Sequence, residues 1–132
     1  MKIYISGRIS GLSEKEYTEN FNDARRAIYL NIDKKYDIEG VYYDGIINPL
    51  EIKPLFGSCK RTKEYYEDGI KKFKKHWTEF YKENWINYMI SDILELRKCD
   101  TIAMQPNWIE SKGAVIEYFY AKFILKLKVI FL

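Results

Sequence analysis

The sequence has few of the residues that build disulfide frameworks and metal sites. Its 132 residues include two cysteines, Cys59 and Cys99, and one histidine, His76. Two cysteines cannot form a disulfide framework, so we expect both thiols to be reduced, as in a cytosolic protein. No group of histidines, cysteines and carboxylates has the spacing of metal ligands, and a serine–histidine–aspartate triad is not expected at His76. The sequence therefore predicts neither a metal nor another cofactor.

Long apolar runs and a strong excess of charge are also missing. No apolar stretch approaches the roughly 20 residues that span a bilayer, and the N-terminus lacks the pattern of a secretory signal. The formal net charge of +3 is mild, so it is compatible with a phosphate-bearing ligand but does not favour nucleic-acid binding. We therefore expect a cytoplasmic protein that binds a small molecule and neither a membrane nor a nucleic acid.

Apolar and aromatic residues are abundant instead. Apolar residues make up 47% of the chain and aromatic residues 17%, with 12 tyrosines. This balance is typical of one globular domain, which we expect over residues 1–132. The tyrosines exceed what a core of this size needs, so some of them should line a cleft or an interface.

Strand-like and helical segments alternate along the chain. Short β-rich segments predict strands over residues 2–6, 46–48, 100–104 and 128–132. Apolar residues at helical spacing predict helices over residues 13–31, 85–98 and 112–127, and a further amphipathic stripe runs from Tyr66 to Tyr81. Ser13 and Glu16 have the spacing of a capping box at the start of the first helix.

This alternation predicts an α/β fold. It favours a short parallel sheet with helices on both faces, a three-layer, flavodoxin-like or Rossmann-like arrangement, and we expect a strand order of about 2-1-3-4. In such sheets ligands bind beyond the carboxyl ends of the strands, where the strand order reverses. The loops at that edge are residues 7–11, the segment after Asn48, and residues 105–111.

The most informative motif is SKGAVIE, residues 111–117, at the start of the last predicted helix. Free N–H groups and the helix dipole at such a start suit an anion such as phosphate. Gly113 and Ala114 have little or no side chain, so a ligand can approach the backbone closely. Glu117 lies one turn further on, in a stripe with Ala121 and Ile124, where a carboxylate is costly to bury unless it is paired or reactive. A solvent-exposed glutamate is the alternative.

Asp92 gives a second signal of this kind. It stands beside the apolar stripe of its helix, in line with Met89 and Leu96. Two carboxylates that converge on one cleft can divide the acid and nucleophile roles of glycosyl transfer, so Asp92 and Glu117 form a candidate pair. A solvated aspartate is the alternative.

Two loops contain weaker candidates. The loop GRISG, residues 7–11, lacks the ending of a P-loop, but a short glycine loop can cradle phosphate with help from Arg8 or Ser10; a plain turn is the alternative. Trp108 precedes the SKGAVIE motif, where it could either stack on a base or cover the core.

Together these motifs resemble a known family. They are KIYISGRISGL at residues 2–12, WxxYMxxDI at 85–93, CDTI at 99–102 and WxxSKGAxxE at 108–117. The pattern resembles a small bacterial and phage domain family of unassigned function, which is similar to the nucleoside 2-deoxyribosyltransferases and the 2′-deoxynucleoside 5′-phosphate N-hydrolases. The resemblance covers the first 50 residues and residues 85–132, and it leaves residues 51–83 as a helical insertion.

The resemblance implies roles for individual residues. Glu117 matches the glutamate that attacks or stabilises the anomeric carbon of the sugar, and Asp92 matches an aspartate implicated in acid chemistry. Tyr4 matches a tyrosine of the hydrolase site, and Ser111 a serine that contacts the 5′-phosphate. The expected substrate-binding residues are Ser6, Gly7, Arg8, Ser10, Gly11, Trp108, Ser111, Gly113 and Ala114. In both groups of relatives a neighbouring subunit completes the site.

Three functions remain open at this point. The first is an enzyme that cleaves the N-glycosidic bond of a nucleoside or nucleotide, by hydrolysis or by deoxyribosyl transfer. The second is a non-catalytic protein that captures a nucleotide or a nucleotide-derived signal in the same pocket. The third is a protein interaction module that uses the aromatic insertion. A need for Glu117 in turnover, rather than only in affinity, separates the first from the second.

We predict a homo-oligomer, a dimer or higher, because the last predicted helix is apolar on more sides than one sheet face can cover. Light scattering at micromolar concentration should give at least twice the monomer mass of 15.9 kDa. A monomer mass would contradict this prediction.

Overall fold

The computed structural model of the chain describes residues 2–30, 45–52 and 85–132, and a parallel sheet lies at its centre. Four strands form this sheet: β1 (Ile3–Ser6), β2 (Ile46–Ile47), β3 (Thr101–Met104) and β4 (Lys128–Phe131). Each pairs in parallel with its neighbour, in the order β2-β1-β3-β4. The predicted α/β class, the parallel sheet and the strand order are confirmed.

Three α-helices flank the sheet in the described ranges. They are α1 (Glu14–Tyr29), α2 (Trp85–Leu96) and α3 (Lys112–Phe119). Two short 3-10 helices, Pro49–Glu51 and Trp108–Glu110, follow β2 and β3. Ser13 caps α1, because its hydroxyl accepts a hydrogen bond from the Glu16 N–H at 3.2 Å, as the capping pattern predicted. No helix in these ranges has the length and apolarity needed to cross a bilayer. The stripe from Tyr66 to Tyr81 lies outside the described residues.

The sheet is covered on both faces, since alternate residues of each strand point to opposite sides. Ile3 and Ile5 of β1 pack with Phe21 and Ile28 of α1. On the other face, Tyr4 and the β3 side chains pack with the helices that follow β2; these residues are Tyr4, Ile102, Met104, Leu96, Ala114 and Ala121. All four residues of β1 and of β3 are buried, as expected of a parallel sheet between two helical layers.

The last helix differs from its predicted form. A continuous helix to about residue 127 was expected, but the α-helix ends at Phe119 and continues as a π-helix over Tyr120–Ile124. The wider turn closes with a 3.0 Å hydrogen bond from the Leu125 N–H to the Tyr120 carbonyl. Because this turn rotates the following side chains, Ile124 is 64% exposed, whereas Glu117 and Ala121 are buried. The expected stripe of Glu117, Ala121 and Ile124 is therefore wrong at Ile124.

Cys99 is a buried free cysteine. Its Sγ donates to the Glu95 carbonyl at 3.4 Å. Burial, with a smaller contribution from the Glu95 carboxylate, raises the pKa of Cys99 to about 11, so the thiol stays protonated and unreactive at neutral pH. Cys59 lies outside the described residues.

The core between the sheet and the helices α2 and α3, which we call the second core layer, can be tested with two leucines. Leu96 is fully buried under the sheet, whereas Leu30 at the end of α1 is 48% exposed. Leu96→Ala should lower the free energy of unfolding by about 2–5 kcal/mol through lost burial and a cavity, and Leu30→Ala by less than about 1 kcal/mol. Urea denaturation measures both. Equal losses would contradict the core assignment.

Candidate functional site

A cleft of about 300 Å³ opens at the carboxyl edge of the sheet. Four elements contribute to it: the loop after β1, the helix α2, the loop before α3, and α3 itself. Its lining residues are Gly7, Ile9, Ser10, Trp85, Met89, Asp92, Glu110, Ser111, Lys112, Gly113, Ala114 and Glu117. The cleft lies where β1 and β3 are neighbours and the strand order reverses, which is the expected position for a ligand in such a sheet. Its volume suits a small molecule.

Glu117 is a buried carboxylate of the cleft that two hydroxyl groups hold in place. It is only 5% exposed, although it lines the cleft. The Tyr4 hydroxyl donates a hydrogen bond to one carboxylate oxygen, Oε2, and the Ser6 hydroxyl donates to the other, Oε1, at 2.9 Å. Tyr4 and Ser6 lie two residues apart in β1, so both point to the face that α3 covers. The two donors favour the ionised carboxylate and hold it in one orientation.

Asp92 reaches the same cleft from α2. Its side chain is 4% exposed and lines the cleft together with Trp85 and Met89. These three residues stand at positions i, i+4 and i+7, which lie on one face of a helix. Two buried carboxylates from two helices therefore share one cleft. The alternatives of an exposed glutamate and a solvated aspartate are wrong.

The start of α3 forms another wall of the cleft. Ser111 caps the helix, because its Oγ accepts a hydrogen bond from the Ala114 N–H at 3.2 Å. Helix geometry leaves the N–H groups of Lys112 and Gly113 without an acceptor inside the helix. A Cβ at Gly113 would lie 3.1 Å from the Met89 Sδ, so glycine allows α2 and α3 to approach closely here. The Lys112 Nζ lies 5.5 Å from the centre of the Trp85 ring.

Arg8 is not among the residues that line the cleft, but it contacts two of them, Ser10 and Glu110, and so stands at the rim. Its Nη1 is 3.2 Å from the Glu110 Oε2, its Nε donates to the Ser10 carbonyl at 3.0 Å, and its N–H donates to the Asn107 Oδ1 at 3.3 Å. Gly11 has a φ of 84°, and a Cβ there would lie 2.7 Å from the Arg8 Nη2. Gly11 therefore leaves room for the Arg8 guanidinium, and it does not line the cleft.

Trp108 does not line the cleft either. Its ring centre lies 4.7 Å from that of Tyr118 and 6.1 Å from that of Phe131, so it covers the second core layer. The alternative that Trp108 covers the core is therefore the correct one.

Sequence reasoning missed five of the lining residues: Ile9, Trp85, Met89, Glu110 and Lys112. The spacing of Trp85 and Met89 from Asp92 could have revealed two of them, and Glu110 and Lys112 flank the predicted Ser111. No three histidine, cysteine or carboxylate side chains meet in a possible metal site within the described part of the chain.

One family model matches residues 60–131, and its description is domain of unknown function (DUF4406). The match covers more than half of the 132 residues. The chain belongs to the DUF4406 family. No curated protein and no solved structure matches the chain. The DUF4406 match includes α2, β3, α3 and β4, and so Asp92, Ser111 and Glu117; it also includes residues 60–83, which the resemblance above treated as an insertion.

The need for a glycine at position 7, which lines the cleft, can be tested by substitution. A Cβ there would lie 2.5 Å from the Cδ of Gln105, a buried side chain. Gly7→Ala should lower the free energy of unfolding by about 1–3 kcal/mol, because overpacking forces the neighbouring atoms apart. The double variant Gly7→Ala/Gln105→Ala should lose less than the sum of its two single variants in urea denaturation. Strict additivity would show that the two residues do not collide.

Proposed function

We propose that this DUF4406 domain cleaves the N-glycosidic bond of a nucleoside or nucleotide, by hydrolysis or by deoxyribosyl transfer. One observation carries the proposal: a buried carboxylate, Glu117, lines a cleft of small-molecule size with each oxygen held by a hydroxyl donor. A buried carboxylate is expensive unless it is paired or reactive, and this one is both paired and open to the cleft. Tyr4 and Ser6 orient it without neutralising its charge.

The chemistry of the bond explains why two carboxylates suit the reaction. As the bond breaks, positive charge grows on the anomeric carbon of the sugar and negative charge on the departing base. Glu117 stabilises the sugar carbon or bonds to it. Asp92, when protonated, donates a proton to the base. Water, or a nitrogen of a second base in transfer, then attacks the sugar carbon and displaces Glu117 if a bond had formed. The attacking group loses a proton, which Asp92 takes up, so both carboxyl groups return to their starting states.

The remaining walls of the cleft support a nucleoside or nucleotide as the ligand. Trp85 and Met89 present aromatic and apolar surface to the cleft, which suits the flat face of a base. Ser111 and the first N–H groups of α3 suit an anion, so a 5′-phosphate fits at this end. Lys112 adds a positive charge to the same wall.

The homo-oligomer remains part of the proposal. Several large apolar side chains of α2, α3 and the π-helix are exposed: Ile86, Ile90, Leu94, Ile116, Phe119, Phe123 and Ile124. An apolar groove of about 310 Å³ runs between α2 and α3, and Trp85 and Met89 line both this groove and the cleft. A second copy that covered this groove would lie next to the cleft.

Release of free base tests the enzyme. The purified chain is incubated with ribonucleosides, deoxynucleosides and their 5′-monophosphates, and free bases are measured by chromatography. The wild type should release base from at least one of them. Glu117→Gln, which keeps the shape and removes the charge, should lower the rate roughly a hundredfold or more, because transition-state stabilisation by one charged group has this order of magnitude.

Glu95→Gln is the matched control. Glu95 lies in the last turn of α2, where the chain leads toward the start of β3, so the substitution removes a carboxylate at the edge of the sheet opposite the cleft. It should leave the rate unchanged. If the wild type binds a nucleotide tightly without releasing base, the non-catalytic capture protein replaces the enzyme as the best hypothesis. If Glu117→Gln keeps the wild-type rate, Glu117 has no part in the reaction.

A further inference from the structure

An ion pair across the rim of the cleft joins two parts of the chain that are far apart in sequence. Arg8 in the loop after β1 contacts Glu110 in the 3-10 helix before α3, with 3.2 Å between Nη1 and Oε2. The side chains are 31% and 66% exposed. Glu110 lines the cleft, and Arg8 also donates to the carbonyl of Ser10, another lining residue. The Glu110 carboxylate therefore already pairs with the Arg8 guanidinium at the entrance to the cleft.

We propose that Glu110 determines how many phosphate groups a ligand of this cleft can carry. Its carboxylate is the internal counter-ion of Arg8, and a ligand phosphate replaces it there. Because the displaced carboxylate stays tethered next to Ser111, it repels further negative charge, so the cleft accepts a monophosphate and disfavours a triphosphate. This inference rests on the proposed function, since it specifies the ligand of the same cleft.

The exchange of one anion for another is physically easy at this place. Exposed ion pairs contribute little to stability, so breaking the contact between Arg8 and Glu110 costs little. The planar guanidinium binds a phosphate with the same pair of parallel hydrogen bonds that it offers a carboxylate. Ser111 follows Glu110 directly and opens α3, so a phosphate near Arg8 also lies near a helix start that favours anions.

The charges around the cleft explain the limit. Three carboxylates line it, those of Asp92, Glu110 and Glu117, whereas Lys112 is the lining cation and Arg8 stands at the rim. The positive charges of Lys112 and Arg8 balance the negative charge of one phosphate group. Each additional phosphate brings negative charge to a mouth where Glu110 remains and no further lining cation stands within the described residues.

Titration calorimetry tests the inference with inorganic phosphate and with the four 2′-deoxynucleosides, their 5′-monophosphates and their 5′-triphosphates. The variants are Glu110→Gln, Arg8→Gln, the double variant and Glu95→Gln. Glu95→Gln is a matched control because it also removes one charge and one exposed ion pair, that of Glu95 with Lys98 at 3.0 Å. Glu110→Gln should tighten triphosphate binding roughly fivefold and phosphate and monophosphate binding about twofold, and leave deoxynucleosides unchanged, given the modest energies of exposed pairs.

Arg8→Gln should weaken phosphate and monophosphate binding, and the effects of Arg8→Gln and Glu110→Gln on these two ligands should not be additive, because the two side chains are paired in the wild type. Circular dichroism checks the fold of each variant, and Arg8→Lys, which keeps the charge but lacks the planar fork, should bind phosphate with intermediate affinity. The inference is overturned if Glu110→Gln behaves like Glu95→Gln, if the effects of Arg8→Gln and Glu110→Gln on phosphate binding are additive, or if inorganic phosphate binds to no variant.

The calorimetry and the base-release assay can fail independently. Phosphate binding that depends on Arg8 and Glu110 without any base release would support the charge limit and count against the enzyme. Base release with phosphate binding that ignores Glu110 would support the enzyme and overturn the charge limit.

Discussion

The two hydrogen bonds from β1 to Glu117 are the contact on which the rest of the site depends. An unpaired carboxylate inside the protein would cost several kcal/mol, so α3 has to pack with Glu117 directly over Tyr4 and Ser6. This requirement sets the rotation of α3 about its axis and its position along β1. The start of α3 then lies at the carboxyl edge of the sheet, where Ser111 and the first N–H groups of the helix line the cleft.

Close approach of α2 and α3 completes the cleft on the same side of the sheet. Gly113 leaves room for Met89, and the face of α2 that bears Met89 also bears Asp92. A side chain at position 113 would press on the Met89 side chain, on the face of α2 that also bears Asp92. Gly113 of the SKGAVIE motif therefore serves the packing of α3 against α2. The DUF4406 match includes both helices, so Asp92 and Glu117 both lie within the residues that match the family.

Much of the fold follows from local pattern. The alternation of β-rich and helical segments is enough to predict the parallel sheet, because parallel strands need crossovers, and short connections then leave only a few possible strand orders. The candidate site is only partly predictable in this way. Glu117 and Asp92 stand out because each places a charge beside an apolar stripe. Trp108 was ambiguous, because a large aromatic residue in a loop can face a ligand or a core, and Ile124 was misplaced because a π-turn cannot be recognised from helical spacing.

The sequence by itself determined the strands, most of the helices and two carboxylates that stand beside apolar stripes, since these depend on periodicities of two and 3.6 residues that can be counted along the chain. Only the tertiary structure decided which groups meet. Tyr4 and Glu117 are 113 residues apart in the chain, Ser6 and Glu117 are 111 apart, and Arg8 and Glu110 are 102 apart. Whether such groups come within hydrogen-bonding distance depends on how helices pack on a sheet to within about an ångström, and no local pattern contains that information.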